Sequence, residues 1–189
     1  MEFTPLADNV FHIKDALRFA DFTRVYDEFS GLYSPVLFTK VENTGGDTGA
    51  SLDIHFGAVF KPGDSAIGDN PTFFAVASRV ALQAQKVIRK PLILTRINTN
   101  IQYFGQEATF HTDADANHWT CVLFISPNWH FGWGGELLIN AGGSDVLSVP
   151  YVPNNGALFR SDILPRGSAP NRLCAQPRNS LALTFTTRS

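Results

Sequence analysis

Leu92-Ile93-Leu94-Thr95-Arg96-Ile97-Asn98-Thr99-Asn100-Ile101-Gln102-Tyr103 is the stretch that decides the class of fold. Its period is two. Ile93, Thr95, Ile97, Thr99, Ile101 and Tyr103 share one face of an extended chain, and Arg96, Asn98, Asn100 and Gln102 share the other. One apolar-leaning face and one polar face describe a half-buried strand of an antiparallel sheet. Further extended runs follow at Trp119–Ile125, Leu137–Ile139, Val149–Val152, Ala157–Leu164 and Asn179–Thr187, separated by turns rich in Gly, Pro and Asn. Short strands with no helices crossing between them predict an antiparallel sandwich or barrel.

Upstream the period lengthens. Asn70 is a good N-cap and Pro71 a good first helical residue; Phe73, Val76, Ala77, Val80, Ala84, Val87 and Ile88 then recur at three and four. The spacing predicts a helix over Pro71–Arg89, stopped by Pro91 and buttressing the back of a sheet. A second helix is expected from an Asp15 cap to about Phe29, ended by Gly31. Residues 1–14 read as one strand with His12 at a surface or edge. Pro35–Val41 reads as extended, Glu42–Ser51 as a mobile loop, and Leu52–Phe56 as a strand with His55 on its polar face. The fold class is α+β, mainly β, with residues 1–189 forming a single domain without repeats or linkers.

With 44% hydrophobic and 17% charged residues the chain is globular and not disordered. A net charge of −2 gives no general attraction to nucleic acid or an anionic membrane, and the Lys86, Arg89, Lys90 cluster reads as a solvated helix end. Cys121 and Cys174 make no disulfide framework; Cys121, in an apolar run, reads as a buried thiol. No apolar stretch approaches the roughly 20 residues that span a bilayer, and the N-terminus lacks a basic segment followed by an apolar core. A soluble, cytoplasmic protein is expected.

His111-Thr112-Asp113 carries the chemistry. On an extended segment His and Asp two apart point the same way, so both can reach one metal ion. An imidazole and a carboxylate are two-thirds of the 2-His-1-carboxylate triad that holds Fe(II) with open coordination positions. Read alone, the triplet is equally an ordinary strand end. The strand beginning at Arg178 places Ser180, Ala182 and Thr184 on one roomy face and Leu181, Leu183 and Phe185 on a packing face. An arginine at the head of the roomy face is either an ordinary surface residue before a strand or a partner for a buried carboxylate, with which its planar fork pairs.

The pieces Tyr103-Phe104-Gly105-Gln106, His111-Thr112-Asp113, Gly134-Gly135-Glu136-Leu137, Gly156-Ala157-Leu158-Phe159, Arg166-Gly167-Ser168-Ala169-Pro170-Asn171 and Pro177-Arg178-Asn179-Ser180-Leu181 fall in one order. In that order the chain resembles the Fe(II)/2-oxoglutarate-dependent dioxygenases, in their prolyl 4-hydroxylase-like branch. The resemblance implies a double-stranded β-helix, or jelly roll, over residues 92–189, supported by helices and strands within residues 1–91. It implies Fe(II) as cofactor, 2-oxoglutarate and dioxygen as cosubstrates, and a peptide or protein substrate. By the same resemblance His111 and Asp113 are the metal-binding and catalytic residues, and Arg178 binds the distal carboxylate of 2-oxoglutarate. Tyr103 either donates its hydroxyl to that carboxylate or packs in the core. Trp129 and Trp133 either shape the pocket mouth against substrate or pack beneath a hairpin, and Arg166 and Arg172 are candidates for substrate. The sequence departs from the family at Pro165, which stands where the second metal-binding His belongs. Proline has no side-chain donor for a metal, Asp162 falls on the opposite strand face, and His118, His130 or a water is left to complete the site. Two readings remain open: a hydroxylating enzyme, or a jelly-roll module that binds 2-oxoglutarate or peptide without turnover. A cupin-like isomerase or sugar-binding protein is a third, against which Arg178 argues.

Overall fold

The computed structural model describes residues 1–30, 39–42, 54–63, 70–142 and 145–187. Its elements in chain order are β1 (Glu2–Ala7), β2 (Val10–Lys14), α1 (Phe19–Ser30), β3 (Thr39–Glu42), β4 (Ile54–Phe60), α2 (Pro71–Ile88), β5 (Leu92–Gln102), β6 (His118–Phe124), a 3₁₀ turn (Phe131–Trp133), β7 (Leu137–Asn140), β8 (Val146–Val149), β9 (Gly156–Arg160), β10 (Leu164–Gly167) and β11 (Arg178–Thr187). A large sheet runs β1-β2-β9-β6-β11-β5-β4-β3 and a small one β10-β7-β8. Every pairing is antiparallel. This is the mainly β jelly-roll arrangement, with strands from both ends of the chain sharing one sheet.

Two apolar clusters fix the layers. On the outer side of the large sheet, Ile97, Ile101, Leu123, Leu181, Leu183 and Phe185 pack with Phe73, Val76, Val80 and Ala84 of α2. On the inner side, Val122, Phe124, Ala157 and Phe159 meet Leu137, Ile139 and Val149 of the small sheet. The apolar face of β5 is therefore spent on α2, and its polar face is left between the sheets. That division positions the site.

α2 follows its sequence signals closely. The Asn70 side chain accepts from Phe73 N at 3.1 Å, satisfying a helix-end donor that would otherwise lack a partner. The helix ends at Ile88, before Pro91, because Arg89 turns left-handed (φ 59°) and its N–H closes onto Gln85 O. Asp21 of α1 is buried and pairs with Arg18 and with Arg79 of α2, which ties the two helices together.

Three expectations are corrected. Residues 1–14 form a hairpin and not one strand, turning at Asp8-Asn9 with Asn9 at φ 60°. His12 lies on β2, an interior strand between β1 and β9, so it is not an edge residue. α1 starts at Phe19 and not after Asp15: Ala16 N donates to Asn154 O at 2.8 Å and Leu17 N to Asn154 Oδ1 at 2.9 Å, holding the segment out of helix. Gly31, most of Pro35–Val41 and Glu42–Ser51, Leu52–Asp53 and the His55 side chain lie outside the described residues. Among the described residues no helix is long and apolar enough to cross a membrane. Cys121 is buried, and burial pushes its thiol pKa well up.

Candidate active site

Between the two sheets lies a cavity of about 150 Å³. Its large-sheet wall comes from β5 and β11, its small-sheet wall from β10 and Leu137, and its rim from the segment carrying His111 and Asp113. That segment is not a paired strand. It is pinned by backbone bonds from His111 N to Pro165 O (3.3 Å) and from Asp113 N to Ser161 O (3.1 Å).

The pinning brings His111 Nε2 to 3.7 Å from Asp113 Oδ1. His111 Nδ1 lies 2.9 Å from Thr109 O. A carbonyl only accepts, so Nδ1 carries a proton, and Nε2 is the ring nitrogen turned toward Asp113. Fixing the tautomer through the other ring nitrogen is how a protein orients an imidazole ligand. The Arg96 guanidinium adds positive charge at this end: its Nη2 donates to Asp113 O at 3.1 Å and lies 3.9 Å from Asp113 Oδ1.

At the other end, β11 starts with Arg178, paired in register with Gln102 of β5. The arginine is 2% exposed. Its Nε donates to Gly135 O at 2.7 Å, and its Nη1 to Gln102 Oε1 at 2.8 Å and Ser180 Oγ at 3.3 Å. The rings of Tyr151 and Phe124 lie 5.3 and 5.8 Å from its Cζ. Nη2 is buried with no hydrogen-bond partner, and no ion pair to Arg178 exists among the described residues. Burial pulls its pKa down, yet guanidinium stays protonated in proteins. A buried cation with an idle N–H, in a residue that lines a cavity, is costly unless an anion joins it. Gly135 permits the approach: at φ 84°, a Cβ there would sit 2.9 Å from Trp129 Cζ2 and 3.3 Å from Arg178 Cδ.

Pro165, on β10, is buried, lines the cavity and pairs with Ile139 of β7. β10 is an edge strand, which is where a sheet tolerates proline. The residues offered to replace a histidine there do not approach. His118 Nδ1 is held 2.7 Å from Asp115 Oδ1, and exposed His130 accepts from Gly132 N within the 3₁₀ turn. No three His, Cys, Asp or Glu side chains gather into a metal site among the described residues. The residues present thus suit a carboxylate at Arg178 and offer an ion two protein donors, His111 and Asp113.

The structure brings His111, Asp113, Arg178 and Arg166 together around one cavity. It does not bring Tyr103, Trp133 or Arg172 to it. Tyr103 continues the α2-facing side of β5 and packs edge-on against Phe56, with ring centroids 6.3 Å apart. Gln102 reaches Arg178 in its place. Trp133 packs edge-on against Trp129, 5.5 Å away, and Arg172 is exposed on a turn. Arg96, Asn98, Asn100 and Gln102, the polar face of the β5 alternation, form a further wall of the cavity.

No family model matches the chain, and no curated protein matches it in sequence. Solved structures do. A prolyl-4-hydroxylase from Pseudomonas putida superposes with a TM-score of 0.67 at 17% identity, over 96% of this chain and 94% of that one. The fold is that of 2OG-Fe(II) oxygenases. A Trichoplax adhaerens prolyl hydroxylase, solved with a hypoxia-inducible-factor oxygen degradation domain peptide fragment, gives 0.68 at 14% identity over 95% and 84% of the two chains. The epimerase SnoN of nogalamycin biosynthesis, solved with Fe3+, alpha ketoglutarate and nogalamycin RO, gives 0.67 at 13% over 94% and 78%. One fold thus carries both hydroxylases and an epimerase, and the reaction must be argued from the site.

Proposed function

We propose that the chain is an Fe(II)- and 2-oxoglutarate-dependent dioxygenase that hydroxylates a prolyl or other side chain of a peptide or protein, in a cytoplasmic setting. The observation that carries this reading is the idle Nη2 of buried Arg178, in the same cavity as the His111–Asp113 pair. Arg178 would take the distal carboxylate of 2-oxoglutarate through Nη2, while Gly135 O and Gln102 Oε1 hold the rest of the guanidinium still. His111 Nε2 and an Asp113 oxygen would hold the ferrous ion. Bound together, the ion and 2-oxoglutarate supply the oxidising chemistry, consuming dioxygen and releasing succinate and carbon dioxide. Ser180 and Ala182, small residues on the cavity face of β11, leave room for the diacid. A peptide substrate draws support from the Trichoplax hydroxylase, which was solved with one.

Pro165 favours a second reading, a module that binds 2-oxoglutarate or peptide without turnover. Loss of even an outer-shell metal partner typically costs about 10–100-fold in affinity or activity, and a missing direct ligand at least as much. Succinate formation from 2-oxoglutarate under air with added Fe(II) separates the two. Turnover supports the oxygenase; saturable 2-oxoglutarate binding with no succinate supports the module.

A further inference from the structure

Behind the Arg178 anchor lies a second cavity, of about 240 Å³. Gln102, Arg178 and Ser180 line the cavity between the sheets, so their chain neighbours on β5 and β11 face the other way, toward the helices. There Ile101, Tyr103 and Asn179 enclose the second cavity with Tyr26, Phe29 and Ser30, from the end of α1. Gln176 and Pro177 complete its wall, and it shares no lining residue with the first cavity.

The lining selects for charge in three ways. It has aromatic rings and, among the described residues, no charged side chain. Phe29 and Tyr103 are fixed by edge-on neighbours, Phe29 against Phe73 with centroids 6.1 Å apart and Tyr103 against Phe56 at 6.3 Å. Aromatic faces are negative and attract ammonium and guanidinium groups, whereas an anion would find no counter-charge here. The amide oxygens ask for a donor. Asn179 is 3% exposed, and its Oδ1 is buried with no hydrogen-bond partner. Gln176 Nε2 donates to Pro127 O at 2.7 Å; a carbonyl only accepts, so Oε1 is the amide atom of Gln176 turned away from that bond. Finally, α1 ends at this cavity. Its last turn carries Asp27 and Glu28 and no basic residue, and a helix C-terminus adds partial negative charge of its own. The Arg178 guanidinium lies across the strand, held by Gly135 O and Gln102 Oε1 on the opposite face.

We infer that this second cavity binds an organic cation, an alkylammonium or guanidinium group, at a site separate from that of 2-oxoglutarate. The inference stands apart from the oxygenase reading. The cation arrives either as a free amine or as a lysine or arginine side chain of another protein; both present the same kind of group to the rings.

The test is a proton–nitrogen NMR titration of the isotopically labelled full chain. The probes are n-butylammonium, end-blocked lysine, end-blocked arginine and end-blocked norleucine, which keeps a linear aliphatic side chain but carries no charge. Saturable shifts at Ser30, Tyr103 and Asn179 with at least one cation, and none with norleucine, are expected. Butylammonium binding as tightly as the blocked residues assigns the site to a free amine, and tighter binding of blocked lysine or arginine assigns it to a protein side chain. Tyr103→Leu, at a position 43% exposed, should weaken binding about 2- to 30-fold, the range of one cation–π contact. Tyr103→Phe keeps the ring and should keep most of the binding, and thermal melts confirm that each variant is folded. No saturable shift with any cation, shifts confined to other parts of the chain, norleucine binding as well as lysine, or undiminished binding in folded Tyr103→Leu would overturn the inference.

Discussion

Replacing Arg178 with lysine separates the shape of the anchor from its charge. The wild-type guanidinium divides its donors: Nε to Gly135 O, Nη1 to Gln102 Oε1 and Ser180 Oγ, and Nη2 left without a partner in a residue that lines the cavity. An ammonium on a flexible stem cannot hold Gly135 and Gln102 and still present a planar fork to a carboxylate. At least one hydrogen bond to a charged group is lost, worth about 1.5–3 kcal/mol, so 2-oxoglutarate should bind roughly 10- to 150-fold more weakly. Titration calorimetry of 2-oxoglutarate with Fe(II) under nitrogen reads this directly. A urea melt run alongside shows whether the lysine variant is folded, because the lost bonds to Gly135 and Ser180 also lower stability. A folded lysine variant that binds 2-oxoglutarate as tightly as the wild type would refute the assignment of Nη2 to the cosubstrate.

Pro165→His should add a third donor beside His111 and Asp113 and raise Fe(II) affinity about 10-fold or more; unchanged affinity would mean that position 165 does not face the ion. Gly135→Ala should destabilise the chain by about 1–3 kcal/mol in urea melts, because its φ of 84° and the contact with Trp129 leave no room for a Cβ; a neutral result would contradict the close approach. Asp21→Asn should destabilise the fold at pH 7, since hydrogen bonding and charge from Arg18, with the charge of Arg79, hold its carboxyl pKa below the usual range. A depressed folded pKa contributes stability that is complete above the unfolded value, about 3.9, and disappears as pH falls through the folded value. The wild type should therefore lose its advantage over the variant in acid, and an advantage undiminished at pH 2 would count against the pairing.

Much of this was legible from local pattern. The alternation of β5, the Asn70-Pro71 start of α2 and the roomy face headed by Arg178 depend on near neighbours in sequence, whereas the segment that joins His111 to Asp113 is pinned by Pro165 and Ser161, far along the chain. What escaped depended on distant partners. α1 starts late because Asn154, 137 residues from Leu17, captures the segment before it. Which face of β5 lines the cavity followed from where α2 packs, and strand periodicity alone is symmetric on that point. Alternation therefore does not tell Tyr103 from Gln102, one residue away and on the opposite face, as the neighbour of Arg178. Proline lacks the N–H that a sheet ladder needs, and its tolerance at position 165 follows from the edge position of β10, which depends on strand pairings far apart in sequence.

Equilibrium binding of isotopically labelled 2-oxoglutarate, measured under nitrogen by dialysis with and without Fe(II) for the wild type and Arg178→Gln, tests the Arg178 anchor most directly. One saturable site per chain is expected, tightened by Fe(II) in the wild type and lost in the variant. No saturable binding to the wild type, or equal binding to both proteins, would contradict it.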